Sequence, residues 1–188
     1  NVIYKALKNQ IKIIIKTSKY IYPKLGEVKR LVREYEILSR FRSEGIVRPL
    51  ELIDFQNRPF LVMEDIDGVS LDQLILQQNL QIGFFLDLAL KTVNAVSEIH
   101  KNHIIHKDTK PHNIIYNMQT GELQIIDFEN ASLFEEELSE SNEEFFEGSM
   151  AYMSPEQSGR MNRSADYRSD YYSLGVTFYQ LLTSELPF

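Results

Sequence analysis

The sequence predicts an α+β fold in two lobes, a small β-rich one with a single helix (residues 1–66) and a mainly helical one (67–188). Three observations carry this. Four short β-like runs crowd the first 64 residues, around one stretch with helical periodicity. After Gly68 the apolar spacing becomes helical for most of the remaining chain. One polar loop followed by an apolar hairpin, residues 106–127, interrupts that helical part.

Val2 to Ala6 and Ile11 to Lys16 are β-like runs joined by a polar turn at Lys8-Asn9-Gln10, which reads as a hairpin. From Glu27 to Arg42, Val28, Leu31, Val32 and Tyr35 fall at i, i+3, i+4, i+7, and Leu38 continues the stripe of an amphipathic helix. Leu50 to Phe55 and Phe60 to Glu64 flank Gln56-Asn57-Arg58-Pro59 and predict a second hairpin. Beyond Gly68, Leu86, Ala89, Leu90 and Val93 mark a helical stripe up to His100, and Tyr171 to Leu182 reads as a buried helix. A small β lobe ahead of a helical lobe leaves a cleft near residues 64–68, a usual place for a ligand.

Composition excludes several classes. Hydrophobic residues at 43% and charged residues at 25% are those of an ordinary globular chain. Twenty basic against 27 acidic residues give a net charge of −7, which argues against nucleic acid or an anionic membrane as partner. There is no cysteine, hence no disulfide framework. No apolar run approaches the roughly 18 residues of a membrane span and no signal peptide opens the chain, so a cytoplasmic location is expected. Seven glutamates between Glu135 and Glu147 read as a solvated loop. The chain begins inside a strand-like run and stops just after a helix, as a fragment would.

The segment His106-Lys107-Asp108-Thr109-Lys110-Pro111-His112-Asn113 leads into a hairpin. Its strands are Ile114-Ile115-Tyr116 and Leu123 to Ile126, and Asp127-Phe128 follows. Paired strands lie about 5 Å apart, so Asn113 entering and Asp127 leaving both stand at the open end. One amide oxygen and one carboxylate then face a common point, oxygen chemistry that suits Mg²⁺. Asp108 can reach the same point as a base, and Lys110 adds a cation between them.

These spaced motifs resemble the eukaryotic-type serine/threonine protein kinases. The resemblance implies a bilobal kinase-like fold that binds ATP and Mg²⁺ and acts on a protein substrate in signal transduction. Asp108 is implied as the group that accepts or orients the substrate hydroxyl proton, and Lys110 as neutralising the transferring phosphoryl. Asn113 and Asp127 are the implied metal ligands. Lys16, after Ile13-Ile14-Ile15, matches the phosphate-holding lysine, and Glu34 in Glu34-Tyr35-Glu36-Ile37-Leu38 its acidic partner. Leu61 to Ile66 resembles the strand and hinge that hold adenine, implying roles for Met63 (as gatekeeper), Glu64 and Ile66. Ile3, Ile14 and Ile115 match the apolar residues that sandwich the ring.

Ser149 and Ser154-Pro155-Glu156 resemble the end of an activation segment, with Ser149 expected to bond Asp108 and Lys110. His106 is implied to pack on Phe128, and Asp170 to tie down the catalytic-loop backbone. Residues 157–188 resemble kinase domains at the front of multidomain proteins carrying ATPase-like, sensor and histidine-kinase modules, so fusion to further signalling domains is expected.

Three departures stand out. No glycine precedes Gly26, so a phosphate-covering Gly-rich loop is expected upstream of Asn1, and the last helices of the large lobe beyond Phe188. Lys107 replaces the arginine before the catalytic aspartate, and is a poorer bidentate partner for phosphate. Glu129 replaces the glycine after Asp127-Phe128, where glycine tolerates backbone conformations that glutamate resists. The alternative reading is therefore a pseudokinase that binds nucleotide or acts as a scaffold. A Walker-type NTPase is excluded as a motif match, because no Gly-x-x-x-x-Gly-Lys occurs.

Overall fold

A computed structural model describes residues 1–77, 80–139, 149–159 and 164–188. Strands β1 (Val2–Lys8), β2 (Ile11–Thr17), β3 (Pro49–Phe55) and β4 (Arg58–Glu64) form one antiparallel sheet in the order β1-β2-β4-β3. Both hairpins close on two residues at positive φ, Asn9 (51°) with Gln10 (68°) and Gln56 (54°) with Asn57 (59°). That is the tight turn whose twist matches paired strands, so each strand runs further into its turn than the composition suggests. Pro59 consequently lies inside β4. It is tolerated because β2 ends opposite Phe60, leaving no neighbour to need the missing N–H.

Helix α1 (Leu25–Leu38) packs on this sheet through Leu31, Ile37 and Leu38, with Glu34 in the same buried stripe. It starts two residues earlier than the periodicity predicts, because the Glu27 carboxylate reaches back to accept the Lys24 N–H at 2.9 Å, the acidic half of a capping box. It ends at Leu38 rather than Arg42, where the Ser39 hydroxyl bonds back to the Tyr35 carbonyl.

The second lobe begins with β5 (Val69–Ser70) and α2 (Leu71–Gln77), then α3 (Ile82–Lys101). Helix α3 corrects the stripe read from the sequence. Leu86, Leu90 and Val93 are exposed, and the buried residues are Phe85, Leu88, Thr92, Ala95, Val96 and Ile99. The helix is apolar on two faces, and the packed one contains Thr92, whose hydroxyl is satisfied by the Leu88 carbonyl at 2.8 Å. After β6 (Ile104–Ile105), β7 (Ile114–Tyr116) and β8 (Leu123–Ile125) pair with Ile114 opposite Ile125. Short β9 (Ser132–Leu133) pairs with β6. Helix α4 (Phe134–Ser139) follows, and α5 (Tyr167–Thr183) is capped by Asp166, which accepts the Arg168 N–H at 2.8 Å.

Two seams join the lobes. The Val47 N–H donates to the Ile125 carbonyl (3.0 Å) and the Ile125 N–H to Gly45 (2.9 Å). Beside the linker, Gly68 lies so close to β7 that a β-carbon there would fall 2.7 Å from Ile115 and 2.8 Å from the Tyr116 backbone. One hydrophobic core runs through both lobes, from Leu31, Leu38 and Leu61 to Ile99, Ile125 and Phe128.

Candidate active site

A cleft of about 560 Å³ lies between the lobes, within the range of small-ligand sites. Ile3, Ile14, Met63, Ile66 and Ile115 contribute apolar lining, and Glu64 lies at the same wall. Lys16, Glu34, Asn113, Asp127 and Glu129 line its polar end. At the linker the Ile66 carbonyl accepts the Asn117 amide at 2.6 Å, and the Glu64 and Asp65 N–H groups donate to Arg48 and Lys12 carbonyls.

Strand β2 delivers Lys16 and helix α1 delivers Glu34, both buried. The Lys16 ammonium is 2.7 Å from Glu34 Oε2, 2.6 Å from Asp127 Oδ1 and 3.4 Å from Glu129 Oε2. Glu34 Oε1 also accepts the Phe128 N–H at 3.1 Å, so one carboxylate links β2, α1 and the segment after β8. Lys16 thus faces three carboxylates, the third of which Arg30 also approaches, at 4.0 Å. Burial alone would lower the Lys16 pKa, but attraction to Glu34 and Asp127 outweighs it and holds the amine charged. Burial pushes Glu34 up to about 6, against the pull of Lys16 and with the repulsion of Asp127 and Glu129. Asp127 is held below its ordinary value, since Lys16 overcomes the cost of its burial.

In the second lobe, Asp108 Oδ2 accepts Lys110 Nζ at 2.7 Å and Asn113 Nδ2 at 3.0 Å. Asp108 Oδ1 accepts the Ser149 N–H at 3.2 Å, and Lys110 Nζ donates to Ser149 Oγ at 2.7 Å. Asn113 Nδ2 reaches the Asp108 carbonyl as well (2.9 Å), which turns the amide oxygen away from Asp108. That oxygen and the Asp127 carboxylate are hard donors on one cleft, a set that fits Mg²⁺.

A buried frame holds this loop. Asp170 on α5 accepts the His106 N–H (3.0 Å) and the Lys107 N–H (2.8 Å), and lies 2.8 Å from His100 Nε2. The His106 ring packs edge-on against Phe128 at 4.7 Å and contacts the Ile126 carbonyl at 3.1 Å. Gln157 donates to the Lys107 carbonyl at 2.9 Å. Lys107 and Asp127 both sit at φ 65°, a left-handed backbone that side chains adopt only when surroundings enforce it. Glu129 does not, so the strained residue is the aspartate and glutamate occupies an ordinary conformation. Its carboxylate accepts from Asn1 at 2.6 Å.

The acidic run departs from the sequence reading. Glu135, Glu136 and Glu137 form the first turn of α4, where carboxylates suit the helix N-terminus. Glu136 pairs with Arg33 of α1, and Glu137 with Lys107 in a largely buried contact. Glu140, Glu143, Glu144, Glu147, Gly148 and residues 160–163 lie outside the described residues. Glu156 accepts the Ser169 hydroxyl at 2.8 Å. The contacts of Gln157, His100 and the α4 glutamates join residues 30 to 103 positions apart or rest on one side chain. No local pattern announces them.

Among the described residues, no helix is long and apolar enough to cross a membrane. The family model for the protein kinase domain matches residues 2–188. The chain is 33% identical over 171 residues to the serine/threonine-protein kinase Pkn1 of Myxococcus xanthus, covering 89% of this chain and 24% of that protein. It is 31% identical over 179 residues to PrkC of Bacillus subtilis, covering 94% and 27% respectively. Serine/threonine-protein kinase A of Synechocystis is 36% identical over 158 residues, covering 78% and 30%. The chain thus spans about a quarter of the length of the curated relatives it matches.

Proposed function

The chain belongs to the protein kinase domain family, and on that premise we propose that it transfers the terminal phosphoryl group of Mg²⁺-ATP to serine or threonine of a protein substrate. One observation carries the reading: the hydrogen-bonded Asp108–Lys110–Asn113–Ser149 cluster reaches, through Asn113, the cleft that Lys16, Glu34 and Asp127 line. Residues 1–66 act as the nucleotide-covering lobe and 67–188 as the substrate lobe.

Ile3, Ile14 and Ile115 enclose the adenine, beside Met63, Glu64 and Ile66 of the linker. Lys16, kept charged and aimed by Glu34, holds the phosphates. Asn113 and Asp127 hold Mg²⁺, which when bound offsets phosphate charge and orients the terminal group. Asp108 orients the substrate hydroxyl and takes its proton, while Lys110 balances charge on the moving phosphoryl. Ser149 and Glu156 shape the peptide side, and Asp170, His106 and Phe128 keep the loop in place. Such a site accelerates transfer by positioning and electrostatics. Lys110 and the relatives' names support serine and threonine as acceptors. ATP and protein substrates also favour a cytoplasmic site of action, and the greater length of the relatives supports fusion to further signalling domains.

The test is titration of ATP, with and without Mg²⁺, on the full-length protein and on Asp127→Ala. The gain in affinity that Mg²⁺ confers should fall in the variant; an equal gain in both overturns the metal assignment. Native protein that is silent until Glu129→Gly switches transfer on would favour the pseudokinase reading instead.

A further inference from the structure

Glu129 adds a charge that the site does not need for the chemistry just described. Glu34 and Asp127 share the Lys16 ammonium at 2.7 and 2.6 Å, so the site is already one negative charge in excess, and Glu129 at 3.4 Å adds a third carboxylate to the same ammonium. One carboxylate oxygen from each of the three residues lies within 4.8 Å of the others. Arg30, half-exposed, approaches Glu129 only to 4.0 Å, and Asn1 contributes a neutral amide. The backbone at Glu129 is unstrained, so the carboxylate is held at the polar end of the cleft without distortion.

We propose that Glu129 is a specificity-determining residue that makes nucleotide occupancy conditional on a divalent cation. The proposal rests on the reading of the cleft as an Mg²⁺-nucleotide site. A bare polyphosphate entering beside Lys16 meets three carboxylates against the Lys16 ammonium and the half-exposed Arg30 guanidinium, and the Glu129 carboxylate adds to the repulsion at short range. A phosphate chain already carrying a divalent cation brings two fewer negative charges, with the cation itself attracted to the carboxylates, and the repulsion is largely offset. Free nucleotide is therefore excluded and metal-loaded nucleotide admitted.

The experiment is calorimetric titration of the full-length protein with ADP, in excess Mg²⁺ and in EDTA, for the native form, Glu129→Gln and Glu129→Gly. Removing the charge should tighten metal-free ADP binding by roughly tenfold, the effect of one unit charge at a partly screened site. Binding of Mg²⁺-ADP should change by less than about threefold, since the cation offsets the lost repulsion. Glu51→Gln, which removes a surface carboxylate paired with Lys8, should leave both affinities unchanged. Melting curves check the fold, and the glycine variant carries the comparison if glutamine melts early. An unchanged ratio of the two affinities, or an equal gain in both, overturns the proposal while the nucleotide reading stands. Native protein that binds no ADP even with Mg²⁺ overturns both.

Discussion

Replacing Asp170 with alanine should cost more stability than any surface change in the second lobe. Asp170 is fully buried and accepts two backbone N–H groups, from His106 at 3.0 Å and Lys107 at 2.8 Å. Its removal strands both donors, the His106 one fully buried and the Lys107 one partly so, at about 1–3 kcal/mol each. His100 loses a 2.8 Å partner as well, but its ring is partly exposed and can turn to solvent. The expected loss is therefore about 3–5 kcal/mol, which lowers a urea midpoint by about 1–2 M at unchanged slope. Asp170→Asn keeps one acceptor and should lose about half as much. Because Lys107 is left-handed at φ 65°, the same bonds also restrain a conformation that would otherwise relax. Amide hydrogen exchange should accordingly accelerate at His106 and Lys107 in the alanine variant, ahead of global unfolding. A loss under about 1 kcal/mol, with those two amides still protected, would refute the idea that Asp170 holds the loop.

Three further outcomes can be checked. With Glu34 pushed up to about 6 from an ordinary 4.5, the folded state takes up this proton before the unfolded state does. This group therefore adds up to about 2 kcal/mol of stability as pH falls from 6 to 4.5. Asp127, held low, works oppositely and loses its contribution as pH falls below about 3.8. Denaturation at several pH values should show that rise flattened in Glu34→Gln; parallel curves would contradict it. Ser149→Ala removes the hydroxyl that Lys110 donates to at 2.7 Å but keeps the backbone bond to Asp108. Peptide kcat/KM should fall about 3- to 10-fold with the KM for ATP unchanged, and a shift in the ATP term alone would sink the assignment. Lys107→Ala leaves Glu137 without its ammonium partner in a largely buried contact. A stability loss of about 1–2 kcal/mol is expected, with faster proteolysis near α4; an unchanged digestion pattern would count against α4 being anchored there.

What the sequence made legible was local. Asp108, Lys110 and Asn113 lie within six consecutive positions, and the hairpin returns the chain to Asp127, so composition and a two-residue period suffice to bring those oxygens together. Lys16 and Glu34 are 18 positions apart on a strand and a helix. No periodicity joins them, and the pairing was readable only through the resemblance. The buried face of α3 was misjudged because Leu86, Leu90 and Val93 make as good a stripe as Phe85, Leu88 and Val96, and only the neighbours decide. The glutamates of α4 look like solvent-facing charge until Arg33 and Lys107 approach from remote parts of the chain. Glutamate after Asp127-Phe128 looks like a defect until the backbone angles show that the left-handed residue is the aspartate.

The two glycines at the seams give the cleft its dimensions by what they lack. A methyl group on Gly45 would stand 2.9 Å from the Ala95 side chain, and one on Gly68 would enter the backbone of β7. Each contact is closer than packed atoms allow, so a methyl group on Gly45 would push the first lobe's seam off α3, and one on Gly68 would push the start of the second lobe, beside the linker, off β7. The gap between the lobes is thus gauged by two missing carbon atoms that lie on its hinge edges, away from every reactive group. Catalytic geometry in this chain is exposed to damage at positions that carry no chemistry at all.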